Sequence, residues 1–256
     1  MSWHRLQRHP IPMTCHFGHS LVVTWALPAD VLEPLVPRGL TLDTYQEQWG
    51  FIIIAAVQSR NLRPRGLPAW AGRDYALTGY RIFVRHRDEN DRVRRGLHIL
   101  RSDTNRQSMR IGGNLLTHYN YELADIDIDA RGDQLEVRID TPRRDADLHV
   151  LAHLDPTPAP LPATSPFASA KDARRFAGPL PRTFDHEPQT DSIVMIHGHR
   201  SSWHPQPIAV DVKMCAFLEH EPFGSAEPRL ANAFHIEGID YSWNRGKRIP
   251  VRGRAT

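Results

Sequence analysis

Apolar residues along this chain recur mostly at every second position or in short continuous runs, the spacing of β-strands. Residues 19–26 read as a strand, after which Pro28 suits the first turn of a short helix over 29–35. Residues 50–57 are a continuous apolar run rich in isoleucine and predict a strand buried on both faces. The clearest hairpin joins 79–87 to 93–102 across the acidic turn Asp88-Glu89-Asn90-Asp91. Its first limb sets Tyr80, Ile82 and Val84 on one face and Arg81, Phe83 and Arg85 on the other. Its second limb sets Leu97, Ile99, Arg101 and Asp103 in one row, opposite His98, Leu100 and Ser102.

Beyond it, Thr104 can cap a helix that runs to about Ile111 and ends at Gly112-Gly113. A second hairpin is expected from 119–129 to 134–140, then a strand over 147–154. Residues 155–166, rich in Pro, Ala and Thr, form a surface excursion, and Ser165-Pro166 opens a helix over 167–177 that Gly178-Pro179 stops. Late strands are expected over 192–200, 208–219 and 230–243, with a frayed tail from 244 to 256. Roughly nine or ten strands and three short helices, without βαβ alternation, predict a mainly β (β-rich α+β) antiparallel barrel. At 256 residues and 40% hydrophobic content, a single domain over 1–256 is expected.

Charge narrows the partners. A net charge of +3 is small for this length, and the densest group, Arg85, Arg87, Arg92, Arg94 and Arg95, flanks an acidic turn. No interleaved aromatic platform accompanies it, so nucleic acid is not an expected partner. No apolar run approaches the ~20 residues of a membrane span, and no secretory leader is legible, so a cytoplasmic location is expected. Cys15 and Cys215 have no metal or redox spacing, and a homo-oligomer stays open.

Several constellations could carry chemistry. Arg101 and Asp103, two apart on a strand, form either a carboxylate clamp with a proton carrier or an ion pair closing a barrel end. Arg81 is a second candidate substrate-binding cation or a solvent-facing residue. In Thr117-His118-Tyr119-Asn120-Tyr121, His118 can act as general acid or base and Tyr119 as a donor to a carbonyl. His197 and His199 share a strand face with His204 nearby, the start of a metal site, but no carboxylate pattern completes it. No metal or cofactor is therefore expected. A Gly-x-Ser-x-Gly elbow is absent, and Cys215 sits among apolar residues.

Six segments occur in order: Thr24-Trp25-Ala26-Leu27-Pro28-Ala29-Asp30-Val31-Leu32, Val36-Pro37-Arg38-Gly39-Leu40, Leu62-Arg63-Pro64-Arg65-Gly66-Leu67-Pro68-Ala69, Tyr80-Arg81-Ile82, Leu100-Arg101-Ser102-Asp103-Thr104 and Phe167-Ala168-Ser169. Together they resemble the domain of unknown function 2071 family, grouped with acetoacetate decarboxylase. The resemblance implies a cone-like antiparallel β-barrel of the acetoacetate decarboxylase-like type, with a cavity for a small carboxylate or carbonyl compound. It also implies adjacent lysines, one forming a Schiff base. Here the chain departs: the corresponding segment, 114–121, contains no lysine, and the strand arginine is replaced around Ala26. Only Lys171, Lys213 and Lys247 occur, and alternation permits Lys213 an inward side chain. The expected function is binding of a small carboxylate or carbonyl compound in the barrel cavity, with room for cofactor-independent lyase, hydratase or isomerase chemistry that uses no Schiff base. The alternatives are a non-catalytic small-molecule-binding protein and a His-based metal enzyme.

Overall fold

The computed structural model describes residues 3–88, 90–178, 180–202 and 204–251. A 3-10 turn, Trp3–Arg8, precedes the long strand β1 (Met13–Pro28), which bends through helix α1 (Ala29–Leu32). A short β2 (Thr41–Leu42) and the isoleucine-rich β3 (Trp49–Pro64) follow. The acidic-turn hairpin is β4 (Arg73–Arg87) with β5 (Val93–Thr104), succeeded by α2 (Gln107–Leu116). Next come β6 (Tyr121–Leu123) and the meander β7 (Asp125–Arg131), β8 (Gln134–Asp140) and β9 (Leu148–His153). Helix α3 (Ala170–Ala177) leads into β10 (Arg182–Glu187), β11 (Ser192–Arg200), β12 (Gln206–Pro207) and β13 (Ala209–Cys215). The chain ends with α4 (Ala216–Glu219), β14 (Arg229–Trp243) and β15 (Lys247–Pro250).

Seven strands close a ring in the order β14-β1-β3-β4-β5-β10-β11, with β11 pairing back onto β14 through Gly198↔Trp243 and its neighbours. A separate four-stranded antiparallel sheet runs β13-β9-β8-β7. The ring strands bury both faces, which is why β1 and β3 read as continuous apolar runs. Outward-pointing Leu21, Val23, Trp25, Ile52, Ile54, Tyr80 and Ile82 pack against Ile126, Leu135, Val137, Ile139 and Val150 of the small sheet. That sheet alternates buried and exposed positions because only one of its faces is covered. Inward-pointing Phe51 and Phe83 meet Phe167 and Phe176, with Phe51 stacked on Phe167 at 5.1 Å between centroids. Each such fully buried side chain contributes roughly 1.5–3 kcal/mol.

The expected mainly β barrel-like architecture is therefore present, with four corrections. Helix α2 starts at Gln107 with Arg106, not Thr104, at its N-cap, and it runs through Gly112-Gly113 to Leu116; Gly113 serves close packing on the Tyr121 ring, where a Cβ would come within 2.4 Å, rather than a helix stop. Helix α3 starts later than expected: Ser169, not Ser165, caps it by accepting from the Asp172 backbone N–H. The expected strand over 208–219 stops at Cys215 and turns into α4. The tail is not frayed as far as Val251, since β15 covers the edge of β11 with Ile249 and Val251 against the core; residues 252–256 lie outside those described. Strand β10, polar in sequence, was not legible beforehand, yet it buries Phe184, Asp185 and Glu187. No helix among the described residues is long and apolar enough to cross a membrane.

Glu187 ties the N-terminal turn to β10. Its buried carboxylate accepts two hydrogen bonds from Arg8, at 2.8 and 2.5 Å, and one from Thr190. Burial pushes this carboxyl up, but the hydrogen bonds from Arg8 and Thr190 outweigh it and hold the pKa at about 2. A depressed folded-state pKa gives stability that is present above the ordinary value of 4.5 and lost as pH falls towards 2. Glu187→Gln is accordingly expected to lower the urea midpoint at pH 7, with the gap to the unsubstituted protein shrinking below pH 4.5. A gap independent of pH would show that the Glu187 charge does not stabilise the fold.

Candidate functional site

The sequence pattern places Arg101 and Asp103 in the same row as Leu97 and Ile99, and the strand register separates them. Across the hairpin, Arg81 pairs with Ile99 and Tyr80 with Arg101, so Leu100 is an extra residue without an opposite partner. Such a β-bulge inverts the alternation beyond it. Leu97, Ile99 and Ser102 therefore share the inward face with Arg81, and Arg101 and Asp103 share the outward face with Tyr80.

On that outer face Arg101 is enclosed by acids. Its Nε donates to Asp103 at 2.8 Å and its Nη1 to Asp145 at 2.9 Å, and Glu122 lies 3.4 Å from Nη2. Asp103 is fully buried, and desolvation pushes its carboxyl up to about 6 despite the Arg101 charge. Tyr80 donates to the Ala146 carbonyl at 2.9 Å beside this cluster. Three protein carboxylates surround the guanidinium, two of them hydrogen-bonded to it, which is the arrangement of a structural ion network holding the small sheet to the ring.

Inside the ring is a cavity of about 120 Å³ to which all seven ring strands contribute. A cavity of about 150 Å³ lined by apolar groups takes up benzene, so this one is scaled to a molecule of a few heavy atoms. Val22, Ala55, Val57, Leu97, Ile99 and Ile196 form apolar walls. Its polar lining includes Arg81, Ser20, Ser102, Tyr119, Tyr121, Thr183 and Arg200. Arg81 makes no hydrogen bond or ion pair among the described residues, and its Nε is buried without an acceptor. Gly79 makes space for it, since a Cβ there would sit 2.7–2.8 Å from the guanidinium nitrogens. The Arg200 guanidinium lies 5.8 Å from the Tyr241 ring centre, and desolvation lowers its pKa.

Tyr119 shares a hydrogen bond of 2.9 Å with the Thr183 hydroxyl. Burial pushes the Tyr119 phenol well up and that of Tyr121 to about 12, so both remain neutral hydrogen-bond donors at any ordinary pH. The described lining contains no Asp, Glu, His, Lys or Cys. Behind the two tyrosines lies a second, largely apolar chamber of about 280 Å³, which shares Leu77, Tyr119, Tyr121 and Trp243 with the first.

The remaining sequence candidates are elsewhere. His118 lies in an open groove with His98, Asp185 and His186, and burial lowers its pKa. In that groove burial also disfavours charge on His98, but Asp185 at 3.3 Å outweighs it and raises the pKa. The rings of His197 and His199 lie 4.5 Å apart, tilted by 38°, yet they form no metal-ligand cluster with His204 among the described residues. Lys213 points to solvent and pairs with Asp211, correcting the inward side chain that alternation permitted. Cys15 and Cys215 are buried free thiols whose pKa burial raises to about 12.

A family model for DUF2071, described as an uncharacterized conserved protein, matches residues 14–236. The chain belongs to the DUF2071 family. The uncharacterized protein YqjF of Bacillus subtilis is 27% identical over 154 residues, covering 60% of this chain and 58% of that relative's length. Acetoacetate decarboxylase from Legionella pneumophila has the same fold at 12% identity, with a TM-score of 0.60 over 94% of this chain and 88% of its own. The enduracididine biosynthesis enzyme MppR, solved with pyruvate, superposes with a TM-score of 0.62 at 10% identity, over 94% and 91%. An acetoacetate decarboxylase-like enzyme from Sphingomonas wittichii gives 0.54 at 14% identity, over 96% and 92%. In this DUF2071 protein the segment 114–121, where the resemblance expects adjacent lysines, presents Tyr119 and Tyr121 to the cavity instead.

Sequence reasoning thus named two cavity residues, Arg81 and Tyr119, and missed Tyr121, Ser102, Thr183 and Arg200. Alternation along β11 carried a signal for one of them, because Ile196, Gly198 and Arg200 fall in a single row. For the outer network, Arg101→Met is expected to destabilise the fold by roughly 3–5 kcal/mol, because it strands buried Asp103 without a partner. Adding Asp103→Asn should restore much of that loss in a urea-denaturation double-mutant cycle. Simple additivity would mean that the two side chains are not coupled.

Proposed function

We propose that the ring cavity binds a small organic acid, with the carboxylate on Arg81 and the carbon skeleton against the apolar wall. The observation that carries this reading is the Arg81 guanidinium: it faces the cavity with no acceptor from the described residues. A desolvated cation of this kind calls for an anion, and a planar guanidinium matches a carboxylate in two parallel hydrogen bonds. Tyr119 supplies a fixed, neutral O–H for a second oxygen, as a 2-oxo group would need. Pyruvate, carried by the structural relative MppR, has this chemistry and this size.

The same lining favours binding over proton-transfer catalysis. General acid–base work needs a group that titrates near the working pH within hydrogen-bond reach of the substrate. Asp103 is on the outer face and His118 in the separate groove, so neither supplies one. Imine chemistry lacks its lysine. Sequestering or sensing a small acid therefore ranks ahead of a lyase, hydratase or isomerase activity. The apolar chamber behind Tyr119 and Tyr121 extends the ligand range towards acids with a short hydrocarbon arm.

Thermal-shift and calorimetric titration with pyruvate, 2-oxobutyrate and butyrate test this reading. At a concentration about 100-fold above Kd, a bound acid should add about 2.7 kcal/mol of stability. Arg81→Gln should abolish the shift, Arg81→Lys should retain part of it, and the matching methyl esters should give none. An unchanged shift in Arg81→Gln would remove Arg81 as the carboxylate site.

A further inference from the structure

On the outer face of the ring, β1 and β14 bring three potential metal ligands together. His19 is the cross-strand partner of Glu237, and His235 pairs with Leu21, two residues along the same face. His19 Nδ1 lies 3.1 Å from His235 Nε2 and 3.7 Å from Glu237 Oε2, and all three ligand atoms fall within 4.8 Å of one another. A tetrahedral zinc ion with nitrogen and oxygen ligands at about 2.0–2.2 Å sets neighbouring ligand atoms about 3.3–3.6 Å apart. The two separations from His19 bracket that edge, and the third, between His235 and Glu237, is at most 4.8 Å and closes by a turn of the exposed Glu237 side chain.

A His19–His235 hydrogen bond and a His19–Glu237 ion pair account for two contacts one at a time; a single ion accounts for the convergence of all three ligand atoms. Buried His235 is held by the strand, and exposed Glu237 leaves one side open to solvent. We propose that His19, His235 and Glu237 form a binding site for a divalent transition-metal ion of the zinc class, with water as the fourth ligand. The ion would clamp β1 to β14 directly behind the cavity, because the intervening pair Ser20↔Ile236 lines its wall. The site is separate from the carboxylate reading and does not depend on it.

Tag-free, chelator-treated protein titrated with zinc, and with cobalt as a spectroscopic probe, tests the proposal. One ion per chain is expected, with the visible bands of tetrahedral cobalt and a rise in Tm on loading. Glu237→Gln, a surface change that leaves the fold intact, should weaken binding at least about tenfold, a loss that even outer-shell partners can cause. His235→Ala should abolish it, and the His197→Ala/His199→Ala double variant should bind as the unsubstituted protein does. Absence of saturable binding, or loss confined to the His197/His199 variant, would overturn the assignment.

Discussion

The register between β4 and β5 slips by one residue at Leu100, and that slip sets which side chains of β5 face the ring cavity. Strand β5 lies between two buried regions, the ring interior and the interface with the small sheet, so each side chain must commit to one of them. The bulge at Leu100 switches that commitment part-way along. Before it, Leu97 and Ile99 wall the cavity; after it, Arg101 and Asp103 turn outward into a network with Asp145 and Glu122. Without the bulge, a guanidinium with its own carboxylate would face inward and the cavity would be neutralised from within. With it, Arg81 faces a ring cavity whose described lining holds no carboxylate, and Asp103 is used elsewhere.

Two arginines on neighbouring strands thus have opposite fates, and their surroundings show why. Arg101 is compensated by protein carboxylates, so its removal is a matter of stability. Arg81 has a glycine beside it where a larger residue would displace its head, and no anion to hold it among the described residues. The tyrosines next to it are kept neutral by burial. On the proposed reading, fixed donors in a small cavity whose described lining holds no carboxylate, imidazole or amine suit an oxyanion receptor better than a proton-transfer site. The fold is that of acetoacetate decarboxylase, but the described lining of this cavity carries no lysine.

Much of the frame was legible in the sequence because strand alternation and turn residues are local signals. The hairpin from β4 to β5, the buried run of β3 and the strand β11 follow directly from it. Strand β10 was not legible, since its acids and histidine are buried only through partners remote in sequence, such as Arg8 for Glu187 and His98 for Asp185. The site was half legible. Arg81 and Tyr119 stand out by residue type, but a bulge leaves no mark in composition, so the outward turn of Arg101 and Asp103 could not be anticipated. The His19–His235–Glu237 group was hidden for a similar reason: its ligands are over 200 residues apart and meet only when β14 closes the ring on β1.

The central claim is that the carboxylate-binding arginine is Arg81 and not Arg101. A crystal structure of the protein soaked with pyruvate or 2-oxobutyrate tests it most directly. The account predicts ligand density in the ring cavity, its carboxylate within hydrogen-bond distance of the Arg81 guanidinium and its 2-oxo group near the Tyr119 hydroxyl. Density against Arg101 on the outer face, or in the groove beside His118 with the ring cavity empty, would contradict it.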